Sequence, residues 1–280
     1  MFDITILWNY SPYIFSSDFI SIRYYSLFFA IGVIFVYIKT TLKASSYLTP
    51  KKVDEILIPC ILCMLLFSRV FHCLFYEFSY YSNNLLEILL PIRFSPFEFT
   101  GYQGLSSHGG FVGFLFCYFI FYRKKIKFNI SLKLLDAVFY YSIILISLIR
   151  VGNLFNSEIL GKVCSKGLCV IFPLIDAVSR HPVQFYEAVS YVFIYLILRF
   201  FSIRIESVPG RLMVLSVFSV SLARFLLEFL KETQTDIQLS YFNMGQLLTL
   251  PIMLISLLIL LILNGTGKKY RKEKNMLSFS

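Results

Sequence analysis

The chain has 280 residues, of which 58% are hydrophobic and only 15% charged, and its formal net charge is +10. A soluble domain carries about a quarter charged residues, so a soluble fold is excluded and the class is an all-α, polytopic membrane protein. The positive charge does not indicate a nucleic-acid partner, because Lys and Arg cluster in short connections between apolar runs, the pattern that membrane topology produces.

Residues 1–19 contain Asp3 but no Lys or Arg, so they lack the basic start of a cleavable secretory signal. Trp8, Tyr10 and Tyr13 suit an N-terminal segment lying at the membrane interface, where amphipathic rings settle. A spanning helix needs about 20 mainly apolar residues. Seven candidate spans follow at 20–42, 54–78, 108–123, 133–150, 183–201, 209–230 and 245–264, the third of them short. No long polar linker interrupts them, so residues 1–280 read as a single transmembrane bundle, with 265–280 as a basic tail.

Most of the 26 basic residues fall in alternate connections. Lys39, Lys43, Lys51 and Lys52 follow the first span, and Arg123, Lys124, Lys125, Lys127 and Lys133 follow the third. Arg199, Arg204 and Arg211 follow the fifth, and Lys268, Lys269, Arg271, Lys272 and Lys274 lie in the tail. The positive-inside rule then predicts a periplasmic N-terminus and a cytoplasmic C-terminus, and an odd number of spans agrees with ends on opposite sides.

On that topology the unusual polar residues gather toward the outer half. Arg23, Tyr24 and Tyr25 open the first span, and Arg69 and Glu77 lie in the outer part of the second. His108 opens the third, and Arg150 closes the fourth just before Asn153, Asn156 and Glu158. Arg180, His181, Gln184 and Glu187 open the fifth, Arg224 and Glu228 lie in the sixth, and Gln246 opens the seventh. Charges in a membrane cost about 2.5–3.5 kcal/mol each at its centre on insertion scales, so they persist when paired or when they line a wet site. Arg224 and Glu228 are four apart and can share a helix face as a simple pair. The convergence of Arg69, Arg150 and Arg180 on the same level favours a site for an anion, since the guanidinium fork matches phosphate at two points. A phospholipid head group is the anion at hand.

His108, in G-L-S-S-H-G-G, is the candidate for proton transfer because imidazole titrates near neutrality. Structural roles suit the other two histidines, with His181 as a turn or cap residue before Pro182 and His72 as packing. Cys60 and Cys63 form a C-x-x-C inside an apolar run, which favours packing over redox chemistry. Cys164 and Cys169 can be joined only if their loop faces an oxidising compartment. No G-x-S-x-G, H-E-x-x-H or nucleotide-binding glycine loop is present, so a serine hydrolase or zincin is unsupported.

These motifs in order resemble the prolipoprotein diacylglyceryl transferase family over nearly the whole chain. I-R-Y-Y-S-L at 22–27 is similar to the family's first-span motif, G-L-S-S-H-G-G at 104–110 to its H-G-G motif, and R-V-G-N-L-F-N-S-E-I-L-G at 150–161 to its long signature. R-H-P-V-Q-F-Y-E at 180–187, R-F-L-L-E-F at 224–229 and M-G-Q at 244–246 complete the series. The resemblance implies a seven-helix bundle in the bacterial inner membrane. It implies transfer of the diacylglyceryl group of phosphatidylglycerol to the lipobox cysteine of a preprolipoprotein, forming a thioether and releasing glycerol phosphate, with no metal and no soluble cofactor. It places Tyr25, His108, Arg150, Arg224 and Glu228 in catalytic positions, and Arg150, Asn153, Asn156, Glu158 and Arg224 around the head group. The chain departs from the family pattern at Arg23, at Ser107 and at Val220, where a tyrosine is common. Two rivals use the same charges: a flippase for an anionic phospholipid, and a membrane scaffold whose arginines are merely paired.

Overall fold

The computed structural model describes residues 3–17, 21–75, 77–90, 92–94, 97–99, 104–232 and 243–277. In chain order it runs β1 (Ile4–Leu7), β2 (Tyr13–Ser16), β3 (Ser21–Arg23), α1 (Tyr24–Ala44), α2 (Pro50–Phe75), α3 (Phe78–Tyr81), α4 (Leu86–Leu89), β4 (Ile92–Phe94) and β5 (Phe97–Phe99). It continues with α5 (Ser107–Cys117), α6 (Phe128–Phe155), β6 (Leu168–Ile171), β7 (Ser179–Arg180), α7 (Val183–Phe200), α8 (Ser202–Ile205), α9 (Arg211–Leu227) and α10 (Met244–Leu277). Among the described residues six helices are long and apolar enough to cross a membrane, so the protein is polytopic. The expected third span differs from the other six. Its 11-residue α5 passes into a five-residue π-helical turn, Tyr118–Tyr122. Together they reach about 24 Å at 1.5 Å per residue, short of a hydrocarbon core of about 30 Å. An all-α fold is also an incomplete description, because three small sheets accompany the helices. The tail beyond Asn264 continues α10 in its backbone, while its basic side chains and residues 278–280 lie outside the described residues.

The chain divides into two compact units. One comprises Met1–Pro12, Tyr24–Thr40 and Leu132–Ser280. Its core joins Ala137, Tyr140, Tyr141 and Ile143 of α6 to Tyr191 and Leu198 of α7 and Leu212 of α9. Buried Asp136 on α6 accepts hydrogen bonds from the backbone N–H groups of Gly210 and Met213, both at 2.7 Å. A carboxylate there satisfies orphan donors and complements the positive end of α9. At the other end of the unit, β1 pairs in parallel with β6, and β6 pairs antiparallel with β7. Trp8 packs on the small core of Leu154, Val170 and Phe172. Phe155 stacks on Tyr24 at 4.5 Å and meets Trp8 edge-on at 5.3 Å, so aromatic contacts hold the start of α1 against the end of α6.

The second unit comprises Tyr13–Arg23 and Thr41–Ser131, and its centre is the packing of α2 on α5. A Cβ on Gly109 would stand 2.5 Å from the Phe67 carbonyl oxygen, and one on Gly113 2.5 Å from that of Cys63. The glycines therefore let two backbones touch, as small residues at four-residue spacing do between membrane helices. Arg69 in this unit is buried and spent on structure. Its guanidinium donates to the carbonyls of Glu87 at 2.9 Å and Ile88 at 3.2 Å and to the Tyr81 hydroxyl at 3.0 Å. His72 is half-buried rather than simply packed, with Nε2 3.6 Å from Glu77 Oε1.

Candidate functional site

The turn before the last of α6 carries Arg150, and the last turn carries Asn153. The helix stops at Phe155, and the chain reverses through two residues in the left-handed region, Ser157 with φ 54° and Ile159 with φ 58°. For a β-branched residue such as Ile159 this is a genuine outlier, and strain of this kind concentrates at functional sites. The reversal presents Glu158 between two amides. Asn153 Nδ2 donates to Glu158 Oε2 and Asn156 Nδ2 to Oε1, both at 3.1 Å. Gln184 of α7 donates to the Glu158 carbonyl. The exposed Glu158 carboxylate is thus fixed on both oxygens, and Tyr25 lies within electrostatic reach of it and of Arg150.

Arg150 is itself buried, with Nη1 donating to Asn153 Oδ1 at 3.3 Å. Its Nε stands 3.0 Å from Oε2 of the fully buried Glu187 on α7. The other oxygen of Glu187 accepts from Lys231 Nζ at 3.0 Å, and Lys231 donates in turn to Glu228 Oε2 at 2.9 Å. Two basic and two acidic groups form one buried chain, so each desolvated charge is compensated. Tyr191 adds its hydroxyl to Glu187 Oε1 at 3.4 Å. Gly245 at the start of α10 lets Glu228 approach, since a Cβ there would overlap its carboxylate. Asn243 and Gln246 cap α10 reciprocally, at 3.2 and 3.0 Å, in the manner of a capping box.

The Arg224–Glu228 pair that the four-residue spacing allows does not form. α9 ends at Leu227 and Glu228 begins a 3-10 turn, so the shared face that four-residue spacing provides is lost. Glu228 turns to Lys231 instead. Arg224, half-buried on α9, makes no hydrogen bond or ion pair with any described residue. The expectation for Arg180 also fails. It is tied to Asp176 at 2.6 Å and Glu232 at 2.7 Å, and its Nη1 reaches the Gly161 carbonyl. These bonds brace β7 against the loop after the signature. Arg180 keeps Asp176 below the ordinary carboxylate range by hydrogen bonding, helped by the Val178 N–H. Asp176 and Glu232 together raise Arg180 above the usual guanidinium value, against the opposing effect of desolvation.

The structure therefore brings together Tyr25, Arg150, Asn153, Asn156 and Glu158, with Glu228 joined to Arg150 through Glu187 and Lys231. His108 belongs to the other unit. It is exposed on the first turn of α5, next to Ser106, whose side chain caps the helix by accepting from Gly109 N–H at 3.4 Å. Lys231 is a functional candidate that the sequence motifs do not single out. Its three-residue spacing from Glu228 was the available signal. Glu187 and Gln184 stood inside a quoted motif but were assigned no role. Several buried polar atoms beside this network have no hydrogen-bond partner among the described residues, namely Asn156 Oδ1, Gln184 Oε1 and Gln246 Nε2. In buried sites such atoms call for a specific explanation. Among the described residues no group of three His, Cys, Asp or Glu side chains is arranged to hold a metal.

Residues 12–262 match the sequence model of the family described as prolipoprotein diacylglyceryl transferase. Relatives named phosphatidylglycerol–prolipoprotein diacylglyceryl transferase include one from Bacteroides fragilis, 36% identical over 263 residues, covering 91% of this chain and 94% of the relative. A second from Chloroherpeton thalassium is 32% identical over 259 residues, covering 91% and 93%. A third from a Wolbachia pipientis strain is 32% identical over 266 residues, covering 90% and 94%.

Proposed function

Because the chain belongs to the prolipoprotein diacylglyceryl transferase family, we propose that it transfers the diacylglyceryl group of phosphatidylglycerol to the lipobox cysteine of a preprolipoprotein in the bacterial inner membrane. The observation that carries this reading is a buried Arg150 held by Asn153 and Glu187, with a half-buried Arg224 that makes no hydrogen bond or close salt bridge to a described residue but lies within electrostatic reach of the same Glu187. A cation in that state attracts an anion of lipid. The thiolate is the reacting form of the cysteine. Its sulfur attacks the glyceryl carbon, the carbon–oxygen bond to phosphate breaks, and the electron pair leaves with glycerol phosphate. Negative charge grows on the leaving oxygen, where Arg150 and Arg224 stabilise it as preorganised donors. Glu158, held by Asn153 and Asn156, orients head-group hydroxyls. Tyr25 and Glu228 complete the catalytic set, and His108 takes the thiol proton.

Seven spans with the N-terminus outside complete the reading. The distribution of basic residues supports that orientation. The disulfide between Cys164 and Cys169 supports it independently, since it suits a loop in an oxidising compartment.

The purified protein, given phosphatidylglycerol and a lipobox peptide, is expected to yield a peptide thioether and free glycerol phosphate. A preparation that binds or moves the lipid but forms no thioether would decide for a flippase. His108→Gln is expected to abolish turnover, and a full rate in that variant would remove His108 as the base.

A further inference from the structure

Lys231 stands out because nothing in the proposed chemistry uses it, yet it is almost fully buried, at 4% exposure. Its backbone is pinned to the end of the signature segment by the antiparallel bridge Gly161↔Lys231. Lys162 N–H donates to the Leu230 carbonyl at 2.8 Å and Glu232 N–H to the Leu160 carbonyl at 3.0 Å. The ammonium is thereby delivered between two carboxylates from different helices, at 3.0 Å from Glu187 and 2.9 Å from Glu228. Glu187 is the acid that Arg150 also contacts. One carboxylate is shared, one oxygen to each cation.

We infer that Lys231 is a positioning residue for the transfer reaction: by occupying one oxygen of Glu187 it keeps that carboxylate from closing on Arg150 with both. A free carboxylate beside a guanidinium takes the two-point geometry, and it would then compete with phosphate for the same fork. Sharing leaves Arg150 with one oxygen of Glu187 at Nε and one amide at Nη1, with the Tyr191 hydroxyl also in reach, and keeps Glu187 from closing the two-point fork. The two acids and two cations cancel in charge, so the net positive charge offered to the lipid comes from Arg224. The role of Lys231 is exerted entirely through Arg150. The inference rests on the transferase reading above.

The test is a two-residue cycle scored by thioether formation from phosphatidylglycerol vesicles and a lipobox peptide, normalised to folded protein. Lys231→Met is expected to lower kcat about ten- to a hundredfold, the scale of a small misplacement of a reacting group, with KM for phosphatidylglycerol changed less than about threefold. Lys231→Arg, which keeps the charge, should retain kcat within about threefold. In Arg150→Lys, itself slow, adding Lys231→Met should cost nothing further, because the group it positions is gone. Multiplicative losses, or wild-type kcat in Lys231→Met, would overturn the inference. If Lys231→Met does not fold, Lys231→Gln replaces it in the cycle, and failure of both to fold would assign Lys231 a structural role and also overturn it. Absence of product from the wild-type protein in the same assay would instead sink the transferase reading.

Discussion

Glu187 lies between Arg150 and Lys231, 3.0 Å from each, with its side chain fully removed from solvent. Removing one partner of a buried ion pair leaves an uncompensated charge and costs about 3–5 kcal/mol. Glu187→Gln is therefore expected to lower the thermal midpoint strongly as well as to abolish transfer. A variant that melts like the wild type would show that the pair is not desolvated as described. Scanning fluorimetry in detergent, read beside an activity assay, separates the two effects.

Arg224 should behave in the opposite way. It has no hydrogen bond or close salt bridge among the described residues and acts on Glu187 only at longer range, so the fold depends less on its charge than on that of Arg150 or Lys231. Arg224→Ala is expected to leave the thermal midpoint nearly unchanged while lowering kcat about 10²–10³-fold, the usual cost of losing one donor to a developing anion. Arg224→Lys should recover only part of this, since an ammonium lacks the planar fork. A large loss of stability with normal turnover would show that Arg224 is a structural cation after all.

Ser157 carries left-handed backbone without being glycine, at φ 54°. That conformation costs a non-glycine residue about 1–2 kcal/mol, partly offset in glycine by its larger loss of entropy on folding. Ser157→Gly is expected to raise stability by up to about 1 kcal/mol. Turnover should fall, because the reversal that holds Glu158 between Asn153 and Asn156 becomes looser. Denaturant midpoints and kcat measured on the same preparation check both directions, and a destabilised variant would refute the strain assignment.

Asp176 gives a pH signature. Its folded value is depressed, chiefly by the hydrogen bond from Arg180. A depressed carboxylate contributes stability above its ordinary value of about 3.9 and loses it as pH falls through the lower folded value. Asp176→Asn should therefore melt below the wild type at pH 7, and the two curves should converge as the pH drops well below 4. A gap that persists unchanged in acid would mean that the carboxylate charge is not what braces Arg180.

Gly113 tests the α2–α5 contact by itself. Gly113→Val would drive a branched side chain into the Cys63 carbonyl and the Phe67 side chain, and overpacking of this kind costs about 1–3 kcal/mol. Lower yield of folded protein is expected, with normal kcat in whatever folds. Wild-type yield would show that the helices do not touch there.

Much of this molecule is legible in its sequence. Hydropathy is a local, nearly additive property, so six spans appear where their apolar runs predict them. The signature likewise announced Asn153, Asn156 and Glu158, because residues two to five apart at a helix end can reach one another. The third span is the exception, since apolar composition does not reveal that α5 gives way to a π-helical turn.

Partner choice among charges was not legible in this way. Arg224 and Glu228 satisfy the four-residue rule yet do not pair, because α9 tightens into a 3-10 turn at Glu228 and Lys231 is nearer. Arg180 and Arg69 carry the same guanidinium as Arg150 but are consumed by Asp176, Glu232 and backbone carbonyls. Hydrophobic burial follows from composition along the chain, whereas an ion pair depends steeply on distance and desolvation between segments far apart in it. The membrane class was therefore written in the order of the residues, and which arginine stays without a close salt bridge among the described residues emerged only when α6, α7 and α9 were packed together.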